Sequence, residues 1–368
     1  MSLHARPDPL PSVDAVVARR RHWLPRPYVQ PGVHRLRQLL RRRADDILAR
    51  AATQWEVAPA SSVAVRPAKC LPGQISRIRR AEFGTIDEVV RDFAGGFDSH
   101  QPPTQAYRLT GVLLMGGVLY ADGAARHLKP RSGRLPMGFA VREVTCAAMH
   151  ESWVGNRWFG NWLSDDCLTY RLAEQAGCPF ATSPASGHQF AYEQQLGIAP
   201  VRRTSAFFEE LILFDDKPHN EGKRDRATDM RRRLIGHEPD RHPGVFLLRG
   251  GTGARRILRN ERVIAEHLAA RRGFQILDPT TADLGDIVAA CAGAEVVAGV
   301  EGSHLLHGLV VMPPAARALV IQPPTRAVSV LKLLTDRQGQ DYSLVVGEGN
   351  DEVFDACAGE IERTLDLA

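Results

Sequence analysis

From Gly244 onward the chain alternates between short apolar runs and longer stretches with helical spacing. GVFLLRG reads as a strand, and RNERVIAEHLAARRG as a helix with Ile264, Leu268 and Ala269 on one face. FQILD is then a strand, TADLGDIVAACAG a helix, AEVVAGV a strand and SHLLHGLVVM a helix. RALVIQPP, RAVSVLKLLTDRQG and YSLVVGEG repeat strand, helix and strand, and DEVFDACAGEIERTLDLA closes the chain as a helix. Such alternation with short connections predicts a parallel sheet covered by helices on both faces. Ligands of such sheets bind beyond the carboxyl ends of the strands.

The earlier half alternates less regularly. LTGVLLMGGVLYADG predicts two strands around the Gly116–Gly117 turn, and GFAVREVTC another strand. HESWVGNRWFGNWLSDDCLTYRLAEQAG becomes helical by Trp158. CPFAT is a short strand, GHQFAYEQQLG a helix stopping at Gly197, and FFEELILFDD a strand. GKRDRATDMRRRLIG, Gly222 to Gly236, is a charged helix suited to linking two domains. The expected architecture is α/β: two facing Rossmann-like domains, residues 61–238 and 239–368, with a central cleft and a C-terminal helix closing the chain. Residues 1–60 read as a basic N-terminal extension.

At 368 residues the chain has room for two domains, and 44% hydrophobic with 24% charged residues is the balance of a soluble globular protein. No apolar run is long enough for a bilayer, and the first residues lack the apolar core of a secretory signal. Both point to the cytoplasm. The six cysteines are scattered, so neither a disulfide framework nor a structural zinc is expected. The net charge of +5 favours anionic partners. Much of it lies in Arg19–Arg21 and in RLRQLLRRR, Arg35 to Arg43, a segment that reads as a solvated basic helix or as peripheral contact with an anionic membrane. No aromatic residues interleave with these arginines, and no nucleic acid is expected as a partner.

The candidate chemistry sits in loops that follow strands. Between Val300 and Leu305 stand Glu301, Gly302, Ser303 and His304, with His307 one helical turn on. Gly302 allows close backbone approach, Ser303 suits a helix cap, and a helix N-terminus offers N–H groups to an anion. Three uses are open: a cap followed by two core histidines, a metal site of Glu301, His304 and His307, or an anion site with Glu301 on sugar or ribose hydroxyls. The loop after GVFLLRG carries Arg249, Arg255, Arg256 and Arg259 around Gly250-Gly251-Thr252-Gly253. Its glycines fit neither the dinucleotide nor the P-loop spacing, whereas arginine forks suit phosphate. Asn260 and Glu261 open the next helix, where capping is their plainest role.

Taken together, RGGTGARRILRNE, GFQILDP and AEVVAGVEGSHLLHGLVVMPPAARALVIQPP resemble the carboxyl-terminal half of glycosyltransferase family 61, a group that in bacteria also carries a capsular-polysaccharide-biosynthesis label. That family follows an Arg with a second Arg and an Asn-Glu pair, then a buried strand that runs into a loop such as Pro-His-Gly-Ala-Gly-Leu-Thr-Asn. Glu301 stands here in place of that His, and His304 and His307 in place of the later Gly and Asn. Upstream, NRWFGNWLSDD is similar to the family's His-Trp-Leu segment, with Asn161 for the His. The likeness covers roughly residues 150 to 325, as an ordered set of individually weak motifs.

The resemblance implies a GT-B-like fold and an inverting transferase, with a nucleoside-diphosphate sugar, a UDP-sugar by expectation, held by the carboxyl-terminal domain. It implies a saccharide or other hydroxyl acceptor, no required cofactor or metal, and a role in bacterial polysaccharide or glycoconjugate synthesis. Arg249, Arg256 and the backbone of Gly302 to His304 would meet the departing diphosphate, while Asn260 and Glu261 fix the loop. Asp165 and Asp166 are the candidate bases, with His150, Glu151 and His188 in reserve; adjacent carboxylates are also a common solvated helix face. Asp215-Asp216 reads as a strand-end turn. The rivals are another Rossmann-type transferase or redox enzyme, whose glycine fingerprint is missing, and a non-enzymatic nucleotide- or polyanion-binding protein.

Overall fold

The computed structural model describes residues 25–39, 46–130, 143–251, 253 and 256–368. Two compact units share the chain. The first takes residues up to Pro59 and Pro103–Pro218, the second Ala60–Pro102 and His219–Ala368. These are not the contiguous ranges 61–238 and 239–368. The difference lies in pairing between residues remote in sequence. Lys69 N donates to Tyr342 O at 2.8 Å and Leu344 N to Lys69 O at 3.0 Å, so the segment before Pro102 runs beside the strand Asp341–Val346 of the second unit. Ser61–Val65 pairs antiparallel with Phe97–Gln101, and Phe93 from the intervening helix Ile86–Ala94 stacks on Tyr342. The charged helix Glu221–Ile235 belongs to this unit as well, burying Ala227, Met230 and Leu234.

The first unit is built on a mixed sheet. From one edge its strands are Ala124–His127, Val118–Ala121, Thr104–Met115, Ser205–Asp215, Glu143–Met149, Pro179–Ala181 and Val201–Arg202. Pairing is antiparallel as far as Ser205–Asp215 and parallel beyond it. The expected Rossmann-like character therefore fails here, because the Gly116–Gly117 hairpin and the long strand before it commit half the sheet to antiparallel pairing. Thr53–Ala58 also pairs with Thr104–Met115, so part of the supposed extension is sheet. Leu109, Leu114, Met149, Phe180, Phe208 and Leu213 form the core. The helix Pro25–Leu39 belongs to this unit, Gln30 Nε2 donating to Gly111 O at 3.2 Å. Arg19–Arg21 and Arg41–Arg43 lie outside the described residues.

In the second unit the expected parallel sheet forms. Val245–Leu247, Gln275–Leu277, Val296–Val300, Arg317–Gln322 and Asp341–Val346 all run parallel. Numbered along the chain, their spatial order is 2-1-3-4-5. One face packs Phe246, Ala298, Val300, Leu319, Ile321 and Val345 against Ile264 and Leu268 of the helix Glu261–Arg272 and Ile361 of the helix Ala358–Leu365. The last helix begins later than the expected Asp351. Asn350 Oδ1 accepts from Glu352 N and Val353 N, turning the chain so that Val353–Asp355 pairs with Ile257–Leu258. Among the described residues no helix is long and apolar enough to cross a membrane.

Candidate functional site

The strand order of the second unit reverses between Val245–Leu247 and Val296–Val300. Crossovers leave that point in opposite directions, which opens a crevice beyond the carboxyl ends of the two strands. The loops at this switch point begin at Leu248 and Glu301. Gly302 is where they meet. A Cβ there would lie 3.0 Å from His304 Nδ1, 3.1 Å from Arg256 Nη2 and 3.2 Å from Arg249 Nε. Basic groups from two segments remote in sequence thus converge over one glycine backbone.

Neighbouring carboxylates set this geometry. Arg256 Nε donates to Glu301 O at 2.7 Å and stands 3.0 Å from Glu301 Oε2. Arg326 Nη1 is 3.6 Å from the same Oε2, and its Nη2 pairs with Glu82 at 3.0 Å. Glu301 is buried, so its carboxylate aligns two guanidinium groups rather than facing a ligand hydroxyl. Glu261 accepts from Arg249 N at 2.8 Å and from Gly250 N at 2.9 Å, clamping the loop to the first turn of the helix behind it. Asn260 does not cap that helix through its side chain. Its Nδ2 donates to Ala356 O at 2.8 Å and its Oδ1 accepts from Ala356 N at 3.3 Å. Arg255 lies outside the described residues, and Arg259 is exposed beside Asp355.

The expected helix after Ser303 is much shorter than its apolar run suggested. A tight turn, Ser303–Leu305, leads into the four-residue helix Leu306–Leu309, and the Ser303 side chain caps nothing. So short a helix has little dipole, and the positive field must come from side chains. Burial, then Arg256 alongside, holds Arg249 down to about 10, against the pull of Glu301 and Glu261. It is still charged at neutral pH. Burial likewise lowers Arg256 despite Glu301. Burial, followed by Arg249, His307 and Arg256, keeps His304 well below the usual imidazole range, so its ring is neutral. Crowded, desolvated cations of this kind are stabilised by an incoming anion. His307 is buried in the short helix. Glu301, His304 and His307 do not form the alternative metal triad, and no such group exists among the described residues.

Gly302→Ala should lower both stability and binding. Gly302 sits at φ +159° and ψ 168°, backbone that glycine alone adopts readily, so a methyl there costs about 1–3 kcal/mol and presses on three basic side chains. Displacing all three should weaken phosphate-ligand affinity by about tenfold, ~1.4 kcal/mol. Circular dichroism beside a binding titration checks both halves.

In the first unit the two candidate bases part company. Both lie in a wide turn of π-type pitch, Trp162–Asp166, that opens the helix Cys167–Gln175. Asp165 is half-buried, and its Oδ2 accepts from Asn161 Nδ2 at 3.0 Å. Asp166 is enclosed. Its Oδ2 accepts from Ser152 N at 3.1 Å, and a Cβ on Gly155 would collide with its carboxylate. Burial raises it well above the carboxylate range against the Ser152 hydrogen bonds, with Asp165 and Glu151 adding to the rise. A carboxyl so walled in holds a turn together and cannot reach a substrate. Asp216, at the end of its strand, is buried between the hydroxyls of Thr104 and Thr169, each 2.9 Å away, as a strand-end lock.

Beside this turn lies a cavity of about 480 Å³. Trp158, Phe159 and Trp162 give it apolar walls, and His150, Glu151 and Arg202 line its polar side. Of the reserve residues, His150 and Glu151 therefore reach the cavity and His188 does not. Glu151 Oε1 accepts from Thr182 N at 2.8 Å and Ser183 N at 3.0 Å, and its Oε2 from Thr182 Oγ1 at 2.6 Å. Arg202 pairs with Glu193 and donates from Nε to Ser183 O at 2.9 Å. Sequence reasoning missed Arg326, Glu193 and Arg202. Arg326 was open to discovery, since it also follows the carboxyl end of a parallel strand; the Glu193–Arg202 pair carries no local signal.

No curated protein sequence matches the chain. Among solved structures it is similar to the metal-soaked Flv1 flavodiiron core from Synechocystis sp. PCC6803, at 10% identity and a TM-score of 0.25, over 48% of this chain. The chain spans 45% of that structure's length. The family model for Glycosyltransferase 61 matches residues 112–319, from the long antiparallel strand of the first unit to the fourth parallel strand of the second. That match covers more than half of the 368 residues, and the chain belongs to glycosyltransferase family 61.

Proposed function

We propose that this transferase moves a sugar, with inversion, from a nucleoside-diphosphate donor to a hydroxyl acceptor in bacterial polysaccharide or glycoconjugate synthesis in the cytoplasm. The observation that supports this reading is the convergence of Arg249, Arg256 and His304 on Gly302 at the switch point of a parallel sheet. As the bond from the anomeric carbon to the diphosphate breaks, negative charge grows on the phosphate oxygens. The Arg249 and Arg256 guanidinium groups bind those oxygens. Glu301 with Arg326, and Glu261 with the Arg249 loop, keep these groups in place before substrate arrives. The reading asks for no metal cofactor, because the arginines supply the charge.

On the acceptor side, Asp165 takes the hydroxyl proton as the acceptor oxygen attacks the anomeric carbon opposite the leaving diphosphate. Asn161 steers its carboxylate. A donor unit combined with an acceptor unit, as in a GT-B-like transferase, belongs to the same proposal. Uridine diphosphate at about a hundred times its dissociation constant should stabilise the protein by roughly 2.7 kcal/mol in thermal unfolding. If neither it nor any other nucleoside diphosphate shifts the transition, the donor reading fails.

A further inference from the structure

We propose that the cavity of the first unit binds a neutral saccharide, the sugar ring or rings of the acceptor, against Trp158 and Phe159 with His150 on a hydroxyl. Its role as acceptor rests on the transferase reading; the binding of sugar does not. A volume of about 480 Å³ lies within the range of small-molecule sites. Trp158 and Phe159, both half-buried, line the cavity, and aromatic rings offer flat apolar surface of the kind that suits the C–H face of a pyranose.

The polar side selects the charge state of the ligand. Glu151 accepts from four donors, and Arg202 and Glu193 answer each other, so these charged groups are already engaged within the protein. The remaining cation at the rim, Arg157, is exposed and lies 4.6 Å over the Trp158 ring. Buried groups already engaged with one another do little to offset the desolvation of an ionic ligand.

His150 supplies an independent indication. It is 6% exposed, lines the cavity, and its Nδ1 has no hydrogen-bond partner among the described residues. Burial and the Arg202 charge hold the imidazole down to about 3, so it is neutral, one nitrogen a donor and the other an acceptor. A neutral imidazole brings no charge to attract a phosphate, a carboxylate or an ammonium. A hydroxyl can use either nitrogen.

The test uses the full chain with cellobiose, xylobiose, lactose and maltose as neutral probes, and glucuronic acid and glucose 6-phosphate as charged ones. Saturation-transfer NMR and tryptophan fluorescence read the binding. At least one neutral disaccharide should bind saturably, with the charged probes at least about tenfold weaker. Trp158→Ala, with its fold checked by circular dichroism, should weaken that binding by about tenfold; His150→Phe should do the same. The inference is overturned by the absence of binding, by tighter binding of the charged probes, or by undiminished affinity in Trp158→Ala. Donor hydrolysis is scored separately. Hydrolysis without saccharide binding removes this inference alone, and saccharide binding without hydrolysis or any shift by a nucleoside diphosphate removes the proposed donor alone.

Discussion

Arg249→Ala is expected to lower turnover by two or more orders of magnitude, about 3 kcal/mol of transition-state stabilisation, with the fold intact. The guanidinium stands at the rim of a parallel sheet, where Glu261 fixes its backbone from behind and a glycine lets ligand oxygens approach from the front. It is already destabilised as a cation by burial and by Arg256. Charge arriving on a leaving diphosphate therefore has more to gain there than at a solvated arginine. Removing it also relieves Arg256, so the variant should not be less stable than the parent. Steady-state donor hydrolysis checks the first statement and urea unfolding the second. Near-normal turnover in a folded Arg249→Ala would take this residue out of the mechanism.

The second large effect is one of stability against pH. His150 remains neutral in the folded chain down to about 3, against 6.5 for a free imidazole. Between those values the unfolded state binds the extra proton. Stability from this residue is thus fully present above 6.5 and drains away as pH falls toward 3, by up to ~5 kcal/mol. Asp166 acts with the opposite sign. Its raised folded value favours the native state at low pH, and that contribution fades as pH rises through it. A comparison of variants isolates the histidine. Between about pH 7 and about pH 5, His150→Gln should lose ~2 kcal/mol less than the parent in urea unfolding. Equal losses in both proteins would show that the imidazole is not buried neutral.

The two units differ in how far their residues disclosed them. Parallel strands such as Val296–Val300 and Arg317–Gln322 are buried on both faces, so each is a continuous apolar run, and the alternation is readable by eye. The loops after those strands carried Arg249, Arg256, Gly302 and His304 for the same reason: the rule that places ligands at carboxyl ends needs only the strand positions. What failed depended on partners remote in sequence. Residues 60–102 join the second unit through pairing with Tyr342 and Leu344, which no local pattern signals. Val353–Asp355 is extended because Ile257–Leu258 lies beside it, although its flanks read as helix. Asp165 and Asp166 are adjacent and chemically identical, yet Gly155 closes over one of them alone. The cavity beside them draws on His150, the Trp158 turn and Arg202, three segments with no shared motif.

Recognition of a diphosphate by one cluster of arginines is tested most directly by calorimetric titration of nucleoside diphosphates against their parent nucleosides. One diphosphate should bind at least about a hundredfold more tightly than its nucleoside, a gap of ~2.7 kcal/mol, and Arg249→Ala should close most of that gap. Equal affinities for diphosphate and nucleoside, or a gap that Arg249→Ala leaves unchanged, would contradict recognition by that cluster.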